Sequence, residues 1–368
     1  MLEYHFDKAG TLQVPGDWNT QQDKLYYYEG SVWYRKKFDA PKFSKTDRQF
    51  VYFGAANYRA DVYLNGKKLG VHVGGFTLFH FEVTGKLKDR DNSIIVKVDN
   101  TRHAEVVPTV NTDWWNYGGL TRDVKLLVVP GTFIRDYSLA LSSVEQPHIV
   151  GRVQLDGNAA GRSFFLRIPE LNVNHRLVAD ATGVAHYKIP VPKAQFWSPD
   201  APKLYRLEIV SGKDKLVDEV GLRTITTQGK QLLLNGKPIF LRGISVHEEY
   251  SADGGGRVNT ADKAQTLLTW AKELNCNFVR LAHYPHNEAM VRLADKMGVL
   301  VWSEIPVYWT IDWQNEATYQ NAEGQLTAMV ERDKNRAAVI IWSLANETPV
   351  SEPRNQFLTR LVRKARAG

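Results

Sequence analysis

The sequence has 368 residues, a length that fits two or three domains. Hydrophobic residues make up 43% of it and charged residues 24%, which is typical of a globular protein in water. The formal charge is +7, but Lys and Arg are interspersed with Asp and Glu, and no motif of a nucleic-acid reader is present. We therefore expect no nucleic-acid partner.

Cysteine and hydropathy patterns exclude further classes. The single cysteine, Cys276, rules out a disulfide within the chain, and its apolar neighbours favour a small buried side chain over a nucleophile. No stretch approaches 18 apolar residues, so no membrane span is predicted. The first residues lack the basic and apolar regions of a signal peptide, which favours a cytoplasmic location if this is the native start.

Residues 1–130 alternate apolar and polar residues in the way that is typical of short strands, as in "SVWYRKKF" and "SIIVKVDN". The Asn-Gly pair in "LNGKKLG" is a strong signal for a hairpin. We predict a β-sandwich of the jelly-roll type for this segment.

Residues 131–224 contain about seven further short strands, which are separated by turns rich in Gly, Pro, Asn and Asp. Seven strands in a segment of roughly 95 residues predict an immunoglobulin-like sandwich. This sandwich would lack the disulfide because the chain has one cysteine.

From residue 225 to residue 368 the hydrophobic period changes. A hairpin in "QLLLNGKPIFLRG" leads into four strands, each followed by a helical pattern, and Thr260 is predicted to cap the first helix. Repeated strand–helix units predict parallel strands, and the continuous apolar runs indicate that both faces of the sheet are covered. Four such units correspond to the first half of a (β/α)8 barrel.

The carboxyl-terminal ends of the four predicted strands carry polar residues. In a (β/α)8 barrel these ends face the active site. The polar residues at the four ends are His247 with Glu248, Arg280 with His283, Glu304, and Asn346 with Glu347. We therefore expect a functional site at this edge of the sheet.

The order of a sandwich, an immunoglobulin-like domain and β/α units resembles glycoside hydrolase family 2, which contains β-galactosidases, β-glucuronidases and β-mannosidases. In the first domain, "VYLNGKKLGVHVGGFTLFHFEVT" and "DWWNYGGLTRDV" resemble the sugar-binding domain of the family. In the last domain, "GLRTITTQGKQLLLNGKPIFLRGISVHEE", "NFVRLAHYP" and "VIIWSLANE" resemble the start, the second strand and the fourth strand of its barrel. The resemblance covers nearly the whole chain.

The resemblance implies a retaining exo-β-glycosidase in which Glu347 is the general acid/base. Retaining glycosidases use two carboxyl groups about 5–5.5 Å apart, one as acid/base and the other as the nucleophile that forms a glycosyl-enzyme. Burial and a neighbouring negative charge can keep an acid protonated near neutral pH, and a strand end inside a barrel mouth offers both. A solvated Glu at the start of a loop is the alternative interpretation.

The same resemblance implies a set of residues that bind the sugar or support its site. These residues are Asp113, His247, Arg280, His283, Glu304 and Asn346. Asn346 is expected to bind the sugar 2-hydroxyl group, and Asp113 to reach the barrel mouth from a loop of the sandwich. Structural alternatives remain open: a turn cap for Asp113, a core position for His247, and an ion pair of Arg280 with Glu304 or Glu347.

No cofactor or metal ion is predicted. No group of His, Cys and Asp residues has the spacing of a zinc motif, and the glycines of "DGGGR" lack the Lys-Ser/Thr of a phosphate-binding loop. The resemblance implies a magnesium ion near the acid in some relatives, but the sequence does not place its ligands. Three aromatic residues could stack on a sugar or belong to the core, namely Trp114, Tyr308 and Trp309.

The sequence also departs from the pattern of the family. The nucleophile of the family is a Glu late in the barrel, and members carry a segment before "LEYHFDKAG", so the chain looks like a fragment without the nucleophile. Two hypotheses follow: the acid/base half of a glycosidase, or a catalytically silent fragment that binds carbohydrate. "SEIPVYWTIDW" and "SLANETP" favour a β-glucuronide-like substrate, with a β-galactoside as the alternative. The expected partner is a carbohydrate, and homo-oligomer formation is left open.

Overall fold

The structure is a computed structural model that describes residues 6–251 and 255–367. Two of the sequence motifs, "LEYHFDKAG" and "DGGGR", lie partly outside the described residues. No helix within the described ranges is long and apolar enough to cross a membrane.

The first seven strands form two antiparallel sheets that share one core. One sheet has the order β1-β6-β3-β4 and the other the order β5-β2-β7. The strands are β1 Ser31–Phe38, β2 Arg48–Phe53, β3 Arg59–Leu64, β4 Lys67–Val73, β5 Phe79–Glu82, β6 Asn92–Asp99 and β7 Val124–Val129. Apolar side chains from both sheets, such as Phe53 and Val96, meet in the core between them. The predicted hairpin joins β3 to β4, and both Asn65 and Gly66 have the positive φ that such a turn requires.

The next seven strands form a second pair of antiparallel sheets. Their orders are β11-β10-β13-β14 and β12-β9-β8. The strands are β8 Phe133–Leu141, β9 His148–Asp156, β10 Ser163–Ile168, β11 Val173–Val178, β12 Val184–Pro190, β13 Leu204–Ser211 and β14 Asp214–Gly221. A single apolar core lies between the two sheets. Seven strands in two sheets without a disulfide are what the predicted immunoglobulin-like sandwich requires.

A short antiparallel sheet then leads into parallel β/α units. The strands of the short sheet are β15 Ile225–Gln228, β16 Gln231–Leu234 and β17 Lys237–Pro238. The parallel sheet has the order β18-β19-β20-β21, with strands β18 Gly243–Val246, β19 Phe278–Leu281, β20 Leu300–Glu304 and β21 Val339–Ser343. Each strand is followed by a helix, and apolar side chains of the strands and helices share one core. The sequence predicted that both faces of the sheet are covered, but the residues of β18 are exposed or half-buried and the middle of β21 is half-buried.

The helices that follow the four strands are α1 Ala261–Glu273, α2 Glu288–Met297, α3 Glu316–Asp333 and α4 Glu352–Ala367. The predicted cap of α1 is confirmed, because the Thr260 side chain accepts a hydrogen bond from the backbone N–H of Lys263. Helix α2 ends at Gly298, which has the left-handed φ of 69° that favours glycine. Cys276 is partly buried beside the core of the β/α units.

Polar contacts join the first sandwich to the β/α units. The guanidinium of Arg122 forms a buried ion pair with Glu248 at 3.1 Å, and its Nη2 also donates to the carbonyl oxygen of Pro285. The Tyr58 hydroxyl and Asn321 lie within hydrogen-bond distance of each other, at 3.1 Å. These contacts position the loop after β6, which contains Asp113, over the carboxyl-terminal ends of the parallel strands.

Candidate active site

Parallel register brings the strand-end residues together. Arg280 in β19 lies opposite Trp302 in β20, and Glu304 in β20 lies opposite Ser343 in β21. The predicted strand-end residues therefore share one edge of the sheet, where we expected a site.

Glu304 is the centre of this edge. Its side chain is 0% exposed, and it accepts hydrogen bonds from Arg280 Nη2 at 2.8 Å and from Trp302 Nε1 at 3.1 Å. Its Oε1 lies 2.6 Å from His283 Nδ1, and Ser343 also hydrogen-bonds to the carboxylate. Burial opposes ionisation of Glu304, but the hydrogen bonds from His283 and Ser343 and the charge of Arg280 outweigh it, so its pKa is lowered. Glu304 is therefore a fixed anion that orients its neighbours.

Arg280 forms an ion pair with Glu304. The sequence left open whether Arg280 would pair with Glu304 or with Glu347, and the structure shows Glu304, which accepts from both Nε and Nη2. The same Nη2 donates to Asn346 Oδ1 at 2.6 Å. Because this bond fixes the amide, the Asn346 Nδ2 group is directed away from Arg280. Within the described ranges Nδ2 is buried and has no hydrogen-bond acceptor, so it is a donor without a partner.

Asn346 and Glu347 lie beyond the strand rather than at its last residues. The sequence predicted a strand that extends to this pair, but β21 ends at Ser343. The chain continues as a loop in which Asn346 pairs with Tyr308 in an isolated parallel bridge. Glu347 has a left-handed φ of 50°, which is costly for a residue with a Cβ, and such strained residues cluster at functional sites.

The Glu347 side chain is exposed, whereas the sequence interpretation expected burial in a barrel mouth. Its Oε2 accepts a hydrogen bond from Trp309 Nε1 at 3.0 Å. Trp309 is itself 38% exposed and also has a left-handed φ. This single bond orients the carboxyl group and leaves it open to a ligand.

The loop of the first sandwich reaches the strand ends through Asp113 and Trp114. The Trp114 ring is 8% exposed and packs against the rings of His283, at 6.1 Å between centroids, and Tyr308, at 5.0 Å. Burial and, after it, the neighbouring Asp113 carboxylate raise the pKa of Tyr308. Asp113 is exposed at the mouth of the site.

His247 completes the cluster. Its ring lies 5.4 Å from the ring of His283, and its Nδ1 is 3.4 Å from the hydroxyl of Tyr284. Burial, together with the neighbouring His283, lowers the pKa of His247, which favours the neutral imidazole. One ligand-type atom from each of Asp113, His247 and His283 lies within 4.8 Å of the other two.

The site also contains residues that the sequence did not reveal. Trp302 and Ser343 contact Glu304 from within β20 and β21. In the sequence both residues fit the pattern of an ordinary buried strand, so nothing marked them as part of a site. Tyr284 follows directly after His283 in the sequence, and this adjacency was the available signal for it. Glu248, which shares the first strand end with His247, is instead a structural anion 1% exposed between Arg122 and Arg257.

Two β-sandwiches followed by parallel β/α units, with charged groups at the carboxyl ends of the strands, define a modular protein of the kind that places its ligand site at barrel strand ends. Two family models match the chain: "Glycosyl hydrolases family 2, sugar binding domain" over residues 1–130, and "Glycosyl hydrolases family 2, TIM barrel domain" over residues 225–366. The chain belongs to glycosyl hydrolases family 2, as its motifs indicated.

Individual relatives agree with this family. A β-glucuronidase of Paenibacillus borealis is 30% identical over 384 residues, covering 91% of this chain and 62% of the relative. A putative β-glucuronidase of Formosa agariphila is 28% identical, covering 95% of this chain and 45% of the relative. The chain thus spans about half to two thirds of the length of these relatives.

Solved structures agree as well. The structure of Bifidobacterium dentium β-glucuronidase complexed with coumarin-3-O-glucuronide superposes with a TM-score of 0.90 at 26% identity. This match covers 100% of the present chain and 69% of that one. The fold of the described residues is therefore shared with a glucuronidase.

Proposed function

We propose that this chain carries the acid/base half of a retaining exo-β-glycosidase that acts on a β-glucuronide-like sugar. The observation that carries the proposal is the Asn346–Glu347 pair. A fixed amide presents a free Nδ2 donor beside an accessible carboxyl group at the strand ends. The names of the related proteins support a β-glucuronide over the alternative β-galactoside.

Glu347 would act twice in the reaction. As a carboxylic acid it gives its proton to the glycosidic oxygen while a second carboxylate attacks the anomeric carbon and the bond to the leaving group breaks. As a carboxylate it then takes a proton from the water that releases the sugar. The hydrogen bond from Trp309 holds one oxygen of Glu347, so the other is available for the proton in both steps.

The remaining site residues would hold the sugar. Asn346 Nδ2 would bind the 2-hydroxyl group, a contact that strengthens in the transition state. The exposed Asp113 carboxylate and the imidazoles of His247 and His283 would accept or donate hydrogen bonds to the other hydroxyl groups. Trp114 would support these groups by packing against the His283 ring.

Glu304 does not fit the role of the second carboxylate, because it is fully buried and its oxygens are occupied by Arg280 and His283. A second candidate function is carbohydrate binding without turnover, and the exposed Asp113 carboxylate beside the imidazoles of His247 and His283 supports it.

The test compares the chain with its Glu347→Gln and Glu331→Gln variants on phenyl and p-nitrophenyl β-glucuronides and galactosides. Glu331 lies exposed on α3 and serves as the matched control. General acid catalysis contributes about 10²–10⁴-fold to the rate. Glu347→Gln should therefore abolish turnover of the phenyl glycoside. It should reduce turnover of the p-nitrophenyl glycoside less, because p-nitrophenol is the better leaving group and needs less help from an acid. Turnover that is equally unaffected by both substitutions would overturn the assignment of Glu347.

Binding measurements separate the two candidate functions. Absence of turnover with saturable binding of glucuronic acid that is weakened by Asp113→Ala would support the binding fragment. Absence of both turnover and binding would overturn both candidates, since each requires the sugar site at Asp113 and Asn346.

A further inference from the structure

We propose that Asp113, His247 and His283 form a binding site for a divalent transition-metal ion, with Zn²⁺ as the best-matched ion. The donor atoms of these three side chains lie within 4.8 Å of one another. They come from three separate segments of the chain, which is why no zinc spacing appears in the sequence.

The ligand types match this ion. Zn²⁺ in proteins takes imidazole nitrogen and carboxylate oxygen at about 2.0–2.2 Å, and sites with three protein ligands keep a further position open. In a tetrahedral site with bonds of this length, two ligand atoms lie about 3.3–3.6 Å apart, so the donor atoms must come closer together on binding. The Asp113 side chain is exposed and can rotate towards the two half-buried imidazoles.

Each of the three ligands has an outer partner that orients it. His283 Nδ1 lies 2.6 Å from the buried Glu304 carboxylate, which leaves Nε2 as the free ligand atom. This carboxylate–histidine pattern is typical of metal sites, where it fixes the tautomer and the ring orientation. Nδ1 of His247 faces the Tyr284 hydroxyl at 3.4 Å, and the Asp113 carboxylate neighbours Tyr308.

The local charges also permit a cation. Arg280 is the nearest guanidinium to His283, at 3.3 Å, but its charge is balanced by the two-point pair with Glu304. Asp113 adds a negative charge, and Glu347 lies on the loop that pairs with Tyr308. A divalent ion would therefore meet the negative charge of Asp113, opposed by the charge of Arg257, which acts on His247.

Metal binding would have two consequences. It would tie the loop of the first sandwich, through Asp113, to the β/α units, through His247 and His283. It would also occupy the position of the sugar hydroxyl groups, so that Zn²⁺ and sugar compete; this second consequence rests on the proposed function.

The test is a titration of the metal-stripped chain with ZnCl₂ by calorimetry, with Co²⁺ absorption as a second readout of the coordination. We expect saturation at one equivalent, a Tm that rises with Zn²⁺, and at least a tenfold loss of affinity in His247→Ala and in Asp113→Asn. Asp113→Asn changes one exposed group and keeps its shape, so it should fold even if a histidine variant does not. His175→Ala, an exposed histidine of β11, should bind Zn²⁺ like the unmodified chain.

Two results would overturn the metal site: no saturable uptake, or uptake that is unchanged in both His247→Ala and Asp113→Asn. Repeating the titration with glucuronic acid distinguishes this outcome from a failure of the proposed function. If Zn²⁺ binds with the predicted dependence on His247 and Asp113 but sugar neither binds nor competes, the metal site stands and the sugar site is refuted. If sugar binds and Zn²⁺ does not, the metal site is refuted and the sugar site stands.

Discussion

Replacement of Arg280 by Met removes the cation at the centre of the site. Its Nε and Nη2 donate to Glu304 at 3.1 and 2.8 Å, and the carboxylate that would be left behind is 0% exposed. Removing one partner of a buried ion pair costs about 3–5 kcal/mol. Because Arg280 is 24% exposed, and because His283 and Trp302 still contact Glu304, we expect the lower end, about 3 kcal/mol at pH 7.

The stability deficit of Arg280→Met should depend on pH. The folded-state pKa of Glu304 is lowered, so the unmodified pair contributes stability above the unfolded pKa of about 4.3, and this is lost as the pH falls through the folded value. Without Arg280, burial becomes the dominant influence and we expect the pKa of Glu304 to rise. A raised carboxyl pKa makes stability fall as the pH rises, so the deficit of Arg280→Met should be larger at pH 8 than at pH 5.

The assay is hydrogen exchange of the β19 and β20 amides, which reports local free energies of opening, at pH 5 and pH 8. The matched control is Arg360→Met, which breaks a surface pair with Glu316 whose side chains are 46% and 59% exposed. We expect it to cost at most about 1 kcal/mol. A loss below this value for Arg280→Met, or a deficit that shrinks as the pH rises, would refute the reasoning.

Three further predictions concern the parts of the fold that position the site. Arg122→Met leaves the buried Glu248 with a weaker set of partners, and we expect a loss of about 3–5 kcal/mol and an earlier calorimetric transition of the interface between the first sandwich and the β/α units. Gly298→Ala should lower Tm because φ is 69° and the new Cβ would lie 2.3 Å from a carbonyl oxygen, whereas Gly324→Ala, in the middle of α3 with open space around it, should raise stability by up to about 1 kcal/mol. Burial raises the pKa of Asp295 to about 7, so its contribution to stability should decline as the pH rises from about 4 towards that value, and Asp295→Asn should flatten this part of the pH–stability curve in urea titrations.

The fold could be predicted from the sequence because the hydrophobic period differs between the two sandwiches and the β/α units. Alternation with turn residues every few positions marked the strands of both sandwiches, and helical spacing with a Thr260 cap marked the change to β/α units. The observed end of β21 at Ser343 could not be predicted in the same way. "LANE" continues an apolar run, but only the contact with Tyr308 shows that the chain has already left the sheet.

The sequence named the candidate site residues but not their arrangement. Strand ends and the family motif named Arg280, Glu304 and Glu347, since parallel strands must end at one edge. Which carboxylate pairs with Arg280 depends on distances across neighbouring strands, and sequence spacing along one strand carries no such information. The approach of Asp113 to the strand ends likewise depends on the buried contacts of the first sandwich with the β/α units.

The different surroundings of Glu304 and Glu347 favour different chemical roles for the two carboxyl groups. A carboxyl group that is enclosed by Arg280 and His283 stays ionised and cannot deliver a proton, whereas Glu347 accepts one neutral hydrogen bond, from Trp309, and faces solvent. A general acid needs the charged form to be disfavoured, which in proteins follows from removal of water. A sugar seated against Asn346 and Trp309 would itself remove water from Glu347. On the proposed function, a bound sugar therefore completes the surroundings of Glu347, and Glu347→Gln should lose turnover while calorimetry still shows saturable sugar binding.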